Sequence, residues 1–230
     1  MQLTHLRTLY SYRDLLLAWT IRTIRARYQQ SILGGIWAIL QPIALVIVFT
    51  LVFTRFLRVD TGGIPYVVFS YTAMVPWTLF SASINDMLDS LVINMNLVSK
   101  IYFPREILPF AAQLARLLDF GIASTLLLFL IILYRMPLSP TGILFLPVIL
   151  MIQLLLAVGL GLIGSALNVF YRDVRHLFAL GLQLWLYATP IIYPVQLVPE
   201  RYHFLYSLNP MVGVIESYRS ILLRGELPVP

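Results

Sequence analysis

Hydrophobic residues run along this chain in long unbroken blocks, and charge is confined to the gaps between them. No Asp, Glu, Lys or Arg occurs from Tyr28 to Thr54, from Thr61 to Asn85, from Met136 to Tyr171 or from Leu177 to Pro199. A helix needs about 20 apolar residues to cross about 30 Å of hydrocarbon. These windows predict spans at 33–54, 65–88, 143–169 and 174–194. A further span is predicted at 110–134, with Arg116 and Asp119 near its start. The uncharged window from Tyr202 to Ile215 is too short to cross and holds Pro210 and Gly213, so it predicts a re-entrant or interfacial helix. Barrel strands would alternate over about 10 residues. Continuous blocks instead predict helices, which satisfy their own backbone in lipid.

Composition agrees. Of 230 residues 60% are hydrophobic and 11% charged, and the mean hydropathy is +0.86. A water-soluble domain carries about 25% charge, so the bilayer is much of this chain's solvent. The absence of cysteine excludes disulfides, thiol catalysis and iron–sulfur ligation. The formal net charge of +6 is spread over the ends of apolar blocks. That is a pattern of membrane topology, not of nucleic-acid binding. The start, "MQLTHLRTLYSYRDLL", has neither the apolar core nor the cleavage site of a signal peptide. No internal repeat is visible, and residues 1–230 read as a single transmembrane domain.

Orientation follows from the basic residues. The N-terminus, the 89–109 loop and the 170–176 loop hold Arg7, Arg13, Arg22, Arg25, Arg27, Lys100, Arg105, Arg172 and Arg175, with Arg116 just inside a span on the same side. The opposite side holds Arg55, Arg58, Arg135, Arg201, Arg219 and Arg224. The bias predicts a cytoplasmic N-terminus. Arg172-Asp173-Val174-Arg175-His176 becomes a tight cytoplasmic turn between two spans.

Three segments could carry chemistry. In residues 12–31, Leu17, Ile21, Ile24 and Tyr28 share one helical face while Arg22, Arg25 and Gln29 lie beside it. This pattern fits an amphipathic helix lying in the membrane interface. Arg27 falls off the wheel, and an ordinary basic flank also explains the arginines. Residues 91–106 form a link with Pro104 near its end. It reads either as a short, rigid helix that a partner could push or as a plain loop. Aromatic residues gather toward the ends of spans, among them Trp37, Trp77, Phe80, Trp185, Tyr187 and Tyr193. An interfacial belt explains these, and so does a surface on which sugar rings stack.

Several chemistries have no residues to carry them. The spans hold no array of ionisable side chains of the kind that lines a proton or sodium pathway. Asp86, Asp89, Arg116 and Asp119 are expected to be caps or snorkelling heads at span ends. His5, His176 and His203 are too scattered for a metal site, and there is no Walker loop or nucleophile elbow. An ion-coupled transporter, or an enzyme acting on lipid-linked sugars, has little to work with here. If the protein moves a substrate, another chain supplies the energy.

"RARYQQSILGGIWAILQPI", "NMNLVSKIYFPREILPFAAQL", "NVFYRDVRHLFALGLQLWLYATPIIYP" and "LNPMVGVIESYRSILL" together resemble the membrane permease of ABC-2 type exporters. The nearest branch looks like the permeases that export lipid-linked O-antigen; teichoic-acid and capsule permeases are close relatives. The resemblance implies an all-α integral membrane fold with an interfacial gate helix (Arg22, Arg25, Arg27, Tyr28), five spans, and re-entrant outer helices at 196–222. It implies a homodimer bound to two copies of a separate ATPase subunit that holds ATP and Mg, with no cofactor or metal in this chain and no catalytic residue. Asn94, Asn96, Lys100, Phe103, Pro104 and Arg105 fall on the family's coupling helix, and Arg172, Asp173 and Arg175 on a second contact. The aromatics named above become candidates for lining a polysaccharide channel. The family also has a sixth span after the outer helices. It is not within residues 1–230, and five spans alone are expected to leave the channel's packing incomplete.

Overall fold

The computed structural model describes residues 11–29, 33–56, 60–138 and 140–228. Arg7, Arg58 and residues 30 and 31 of the expected interfacial helix lie outside them. Among the described residues the elements are helices and turns only, with no strand. Helix α1 covers Arg13–Tyr28. A turn at Gly34, with φ of +50°, leads into α2, Gly34–Phe56. Helix α3 covers Tyr66–Ile93, α4 is the single turn Met95–Val98, and α5 covers Ile107–Leu133. Then come α6 (Pro140–Ile143), α7 (Leu146–Phe170) and α8 (Val174–Ala188). The short α9 (His203–Ser207) and α10 (Pro210–Arg219) follow, and a π-helical turn, Ser220–Arg224, continues α10.

Among the described residues, four stretches are long and apolar enough to cross a membrane: Gly34–Phe56, Tyr66–Ile93, Ile107–Leu133 and Pro140–Phe170. They match four of the expected spans. The segment expected as a fifth, 174–194, holds the 15 residues of α8 and then a non-helical turn. Fifteen residues fall short of the about 20 that a full helical crossing needs. Most of the turn at 189–194 is buried in protein. This is the condition under which irregular backbone is tolerated at membrane depth.

Helix α3 is the axis of the bundle. In its apolar core window 78% of residues are buried, against 11–17% for the other three crossing helices. It is also the least apolar of the four. In lipid this inversion is expected, because outer faces must be greasy whereas an inner helix meets protein. Ser70, Thr72, Thr78, Ser81 and Ser90 donate their hydroxyls to carbonyls three or four residues back in α3 itself.

Helix α7 approaches α3 through small residues. A Cβ at Gly161 would sit 2.5 Å from the Met87 sulfur, and one at Gly164 would sit 3.0 Å from Leu88 Cγ. Such close approach lets dispersion hold helices together where no hydrophobic effect separates lipid from leucine. Three buried amides add directional ties. Gln153 donates to the Pro76 carbonyl at 2.8 Å, Asn168 to that of Leu88 at 2.9 Å, and Gln113 to that of Leu154 at 2.9 Å. In this way α7 is bonded to α3, and α5 to α7.

Candidate functional site

Beside α1 the charges near the span ends form one network. Asp86 of α3 takes a bidentate pair from Arg116 of α5, at 2.6 and 2.8 Å, and a third bond from Arg27 of α1 at 2.5 Å. Asp119 of α5 takes Arg27 at 2.7 Å, Arg116 at 3.0 Å and the Tyr28 hydroxyl. Two guanidinium groups and two carboxylates balance, each 15–25% exposed. Snorkelling heads and caps were the sequence expectation for Asp86, Arg116 and Asp119. Pairing replaces it because α1 brings a third helix against α3 and α5. Arg27 departs from the polar face of α1 for the same reason: its partners lie on the bundle. Burial, and then the bond to the Asp119 carboxylate, push the Tyr28 hydroxyl up to about 12. Arg22 and Arg25 remain exposed on α1; Arg22 lies 4.1 Å over the Trp19 ring.

The 91–106 loop is built against the same helix. Phe103 is buried with Ile107 and Leu108, and Tyr12 together with Leu15, Leu16 and Trp19 of α1 packs on them. Asn94 donates to the Ser90 carbonyl and receives Arg22 at 3.5 Å. Pro104 is half-buried, whereas Asn96, Lys100 and Arg105 are exposed. Tyr102 is 96% exposed and Ile101 is 57% exposed. The loop therefore has an anchored side, Phe103, and an open side that mixes cations with apolar surface. At the 170–176 turn Arg172, Asp173 and Arg175 are all exposed, and Arg175 reaches Asp89 of α3 at 3.5 Å.

The aromatic residues divide in two. Trp77 and Phe80 are 3% and 0% exposed and pack edge-on against Trp185, with ring centroids at 6.3 and 5.3 Å. These ring contacts join α3 to α8, and Trp77 also lines a cavity beside them. Trp37 and Tyr187 are exposed, and Tyr193 is half-buried with its hydroxyl bonded to the Tyr187 carbonyl and the Tyr206 hydroxyl. Near the exposed rings lies something the sequence reading did not single out. Gln41 of α2, Asn85 of α3 and Gln183 of α8 are exposed within apolar segments and have no hydrogen-bond partner among the described residues. Gln41 and Asn85 line one cavity of about 330 Å³ together with Thr78, Ser81 and Leu186. Gln41 also lines a second, of about 320 Å³, with Trp37, Arg27, Arg116 and Asp119. Free amides inside uncharged windows were the available signal.

At the far end of α8 the backbone is held by side chains. Arg219 of α10, 1% exposed, donates to the carbonyls of Pro190 at 2.6 Å and Ile191 at 2.8 Å. Its guanidinium lies 3.6 Å over the Phe69 ring and pairs with Glu216 at 2.9 Å; Arg224 reaches the other oxygen of Glu216 at 3.2 Å. Tyr66 donates to the Ile192 carbonyl at 2.5 Å. Asn209 caps α10 through the Met211 N–H, accepts from the Trp185 indole and donates to Thr189.

Known proteins resemble this chain over nearly its whole length. Residues 14–223 match the model of the ABC-2 type transporter family. The O-antigen export system permease protein RfbA of Myxococcus xanthus is 33% identical over 224 residues, 96% of this chain and 85% of the relative. A Klebsiella pneumoniae protein of the same name is 30% identical over 93% of this chain and 82% of its own length. The polysialic acid transport protein KpsM of Escherichia coli is 24% identical over 89% and 80%. With its helical architecture and four apolar crossings, the chain belongs to the ABC-2 type transporter family of multi-pass membrane proteins.

Proposed function

We propose that this chain is the membrane-spanning subunit of an ATP-driven exporter that moves a lipid-linked polysaccharide across the bacterial inner membrane, O-antigen being the first candidate. The names of the relatives support the substrate class. The observation in this molecule that carries it is the contrast between two sets of amides. Gln113, Gln153 and Asn168 are buried and bonded to neighbouring helices. Gln41, Asn85 and Gln183 are exposed and free. An unbonded amide in hydrocarbon costs about 4–8 kcal/mol, so the cavity that Gln41 and Asn85 line is read as facing water, and the exposed side of α8 at Gln183 likewise. Side-chain amides beside the exposed rings of Trp37 and Tyr187 suit the hydroxyl edges and C–H faces of sugars. A second copy of the chain would close these surfaces into a conduit.

In this reading the basic end is cytoplasmic, and the α4 loop meets one of two ATPase subunits that bind ATP and Mg. Lys100 and Arg105, with the exposed Tyr102 and Ile101, form the contact, while Phe103 passes its movement to α1. Arg172, Asp173 and Arg175 form a second contact. The 24% identical relative named for polysialic acid transport keeps capsular polymer as a second substrate reading; teichoic acid is chemically equivalent at this level. The test is reconstitution with the ATPase from the same operon. Replacing Gln41, Asn85 and Gln183 together by Leu should lower polymer export several-fold and leave ATPase association intact. Replacing Lys100 and Arg105 by Glu should lower association. Undiminished export in the first variant would remove the conduit assignment.

A further inference from the structure

The turn that ends α8 has one short backbone bond of its own, from the Ile191 N–H to the Thr189 carbonyl at 2.7 Å, and its other bonds come from side chains. Thr189 donates its hydroxyl to the Trp185 carbonyl, closing the last turn of α8. The next carbonyls are those of Pro190, Ile191 and Ile192. Arg219 takes the first two and Tyr66 the third. Three successive carbonyls are thus met by two side chains, from α10 and α3. The guanidinium suits the task because its donors diverge in a fixed plane that also stacks on a ring. Phe69 supplies the ring and Glu216 the counter-charge. A lysine has a single point of charge and no plane.

The turn sets where the exposed rings stand. Tyr187 is in the last turn of α8, and Tyr193 follows the turn and folds back to bond the Tyr187 carbonyl. The position of Tyr193 relative to Tyr187 therefore depends on the path of 189–192. We infer that Arg219 is a positioning residue for export: it fixes the 189–192 turn, and through it the Tyr187–Tyr193 pair at the outer end of the conduit. The inference rests on the exporter reading, and Arg219 itself touches no substrate.

The chain contains no cysteine, which permits a direct test in the reconstituted complex. Ile191→Cys places a thiol in the turn at a site with 0% exposure, and Ile131→Cys places one in α5 at 1% exposure. Each is combined with Arg219→Lys and with Arg219→Met, and labelling by a water-soluble maleimide is timed. The expected result is labelling at 191 faster by at least about tenfold in the Met variant, as for a local opening, and to a smaller degree in the Lys variant. Labelling at 131 stays slow, ATP hydrolysis by the complex persists, and export falls in the same order as labelling rises. Protection at 191 unchanged in the Met variant would overturn the inference. So would faster labelling at 191 and 131 together, which marks general loosening, or faster labelling at 191 with unchanged export. Failure of the exporter reading itself is distinct, because then the complex without any Arg219 change moves no polymer.

Discussion

Two clusters of arginine and carboxylate hold this molecule, one at each end of the bundle, and they are built differently. Beside α1, Arg27, Asp86, Arg116 and Asp119 bond only to one another and to Tyr28, and each is 15–25% exposed. At the turn after α8, Arg219 is 1% exposed and spends two of its bonds on backbone carbonyls. The first cluster joins side chains on three helices, so its members can exchange partners while their helices shift. The second is tied to main chain that has no other donor. A cluster of side-chain pairs suits a junction that must move, and a cation on buried carbonyls suits one that must stay.

The largest effect expected is at the turn after α8. Glu216→Ala removes the counter-charge of a fully buried guanidinium and should cost about 3–5 kcal/mol, read as a large fall in melting temperature of the purified protein in detergent. Beside α1 the same kind of change should cost less, because water reaches the group. Asp119→Ala should lose about 1–3 kcal/mol. Arg27→Ala combined with Asp119→Ala should recover part of that loss, giving a measurable coupling energy in a double-mutant cycle. No such rescue is expected for Glu216→Ala with Arg219→Ala, since the orphaned carbonyls remain. A full recovery there would erase the distinction between the two clusters. The smallest effect concerns pH. Tyr28 is held neutral up to about 12, above the usual 10. Its contribution is present below pH 10 and is lost as pH rises toward 12, because the unfolded chain ionises first. Tyr28→Phe should flatten that part of the stability profile and leave neutral pH nearly unchanged.

Most of the architecture was legible in the sequence. Uncharged windows locate three of the four long apolar helices to within a few residues, because desolvating charge in lipid is the strongest rule the chain obeys; α5 is found despite Arg116 and Asp119 near its start. The end of α8 was less legible: Thr189-Pro190 announces a break, but apolar residues on both sides conceal how far the helix continues. Tertiary pairing was not legible at all. Arg27 lies 59 residues from Asp86 and 92 from Asp119, and only its departure from the helical wheel gave it away. Trp77 is the same residue type as Trp37, and Phe80 is aromatic like Tyr187. Whether a ring packs inward or stands open depends on helix rotation, which composition does not encode. Buried and exposed amides are alike in the same respect, and Gln41 and Gln153 separate only once α7 is seen against α3.

The polar lining of α3 bears on how the protein is made. The second crossing helix leaves the ribosome before α5 and α7, which later supply its covering surface and its amide donors. During that interval it faces lipid. Tyr66 and Tyr71 must wait for acceptors on later segments, but Ser70, Thr72, Thr78, Ser81 and Ser90 already bond carbonyls of their own helix, so these five enter the bilayer without debts to helices not yet synthesised. Replacing them by asparagine, whose amide seeks a partner on another helix, would trade that independence for premature association. These five hydroxyls of α3 thus serve biogenesis as much as the finished bundle.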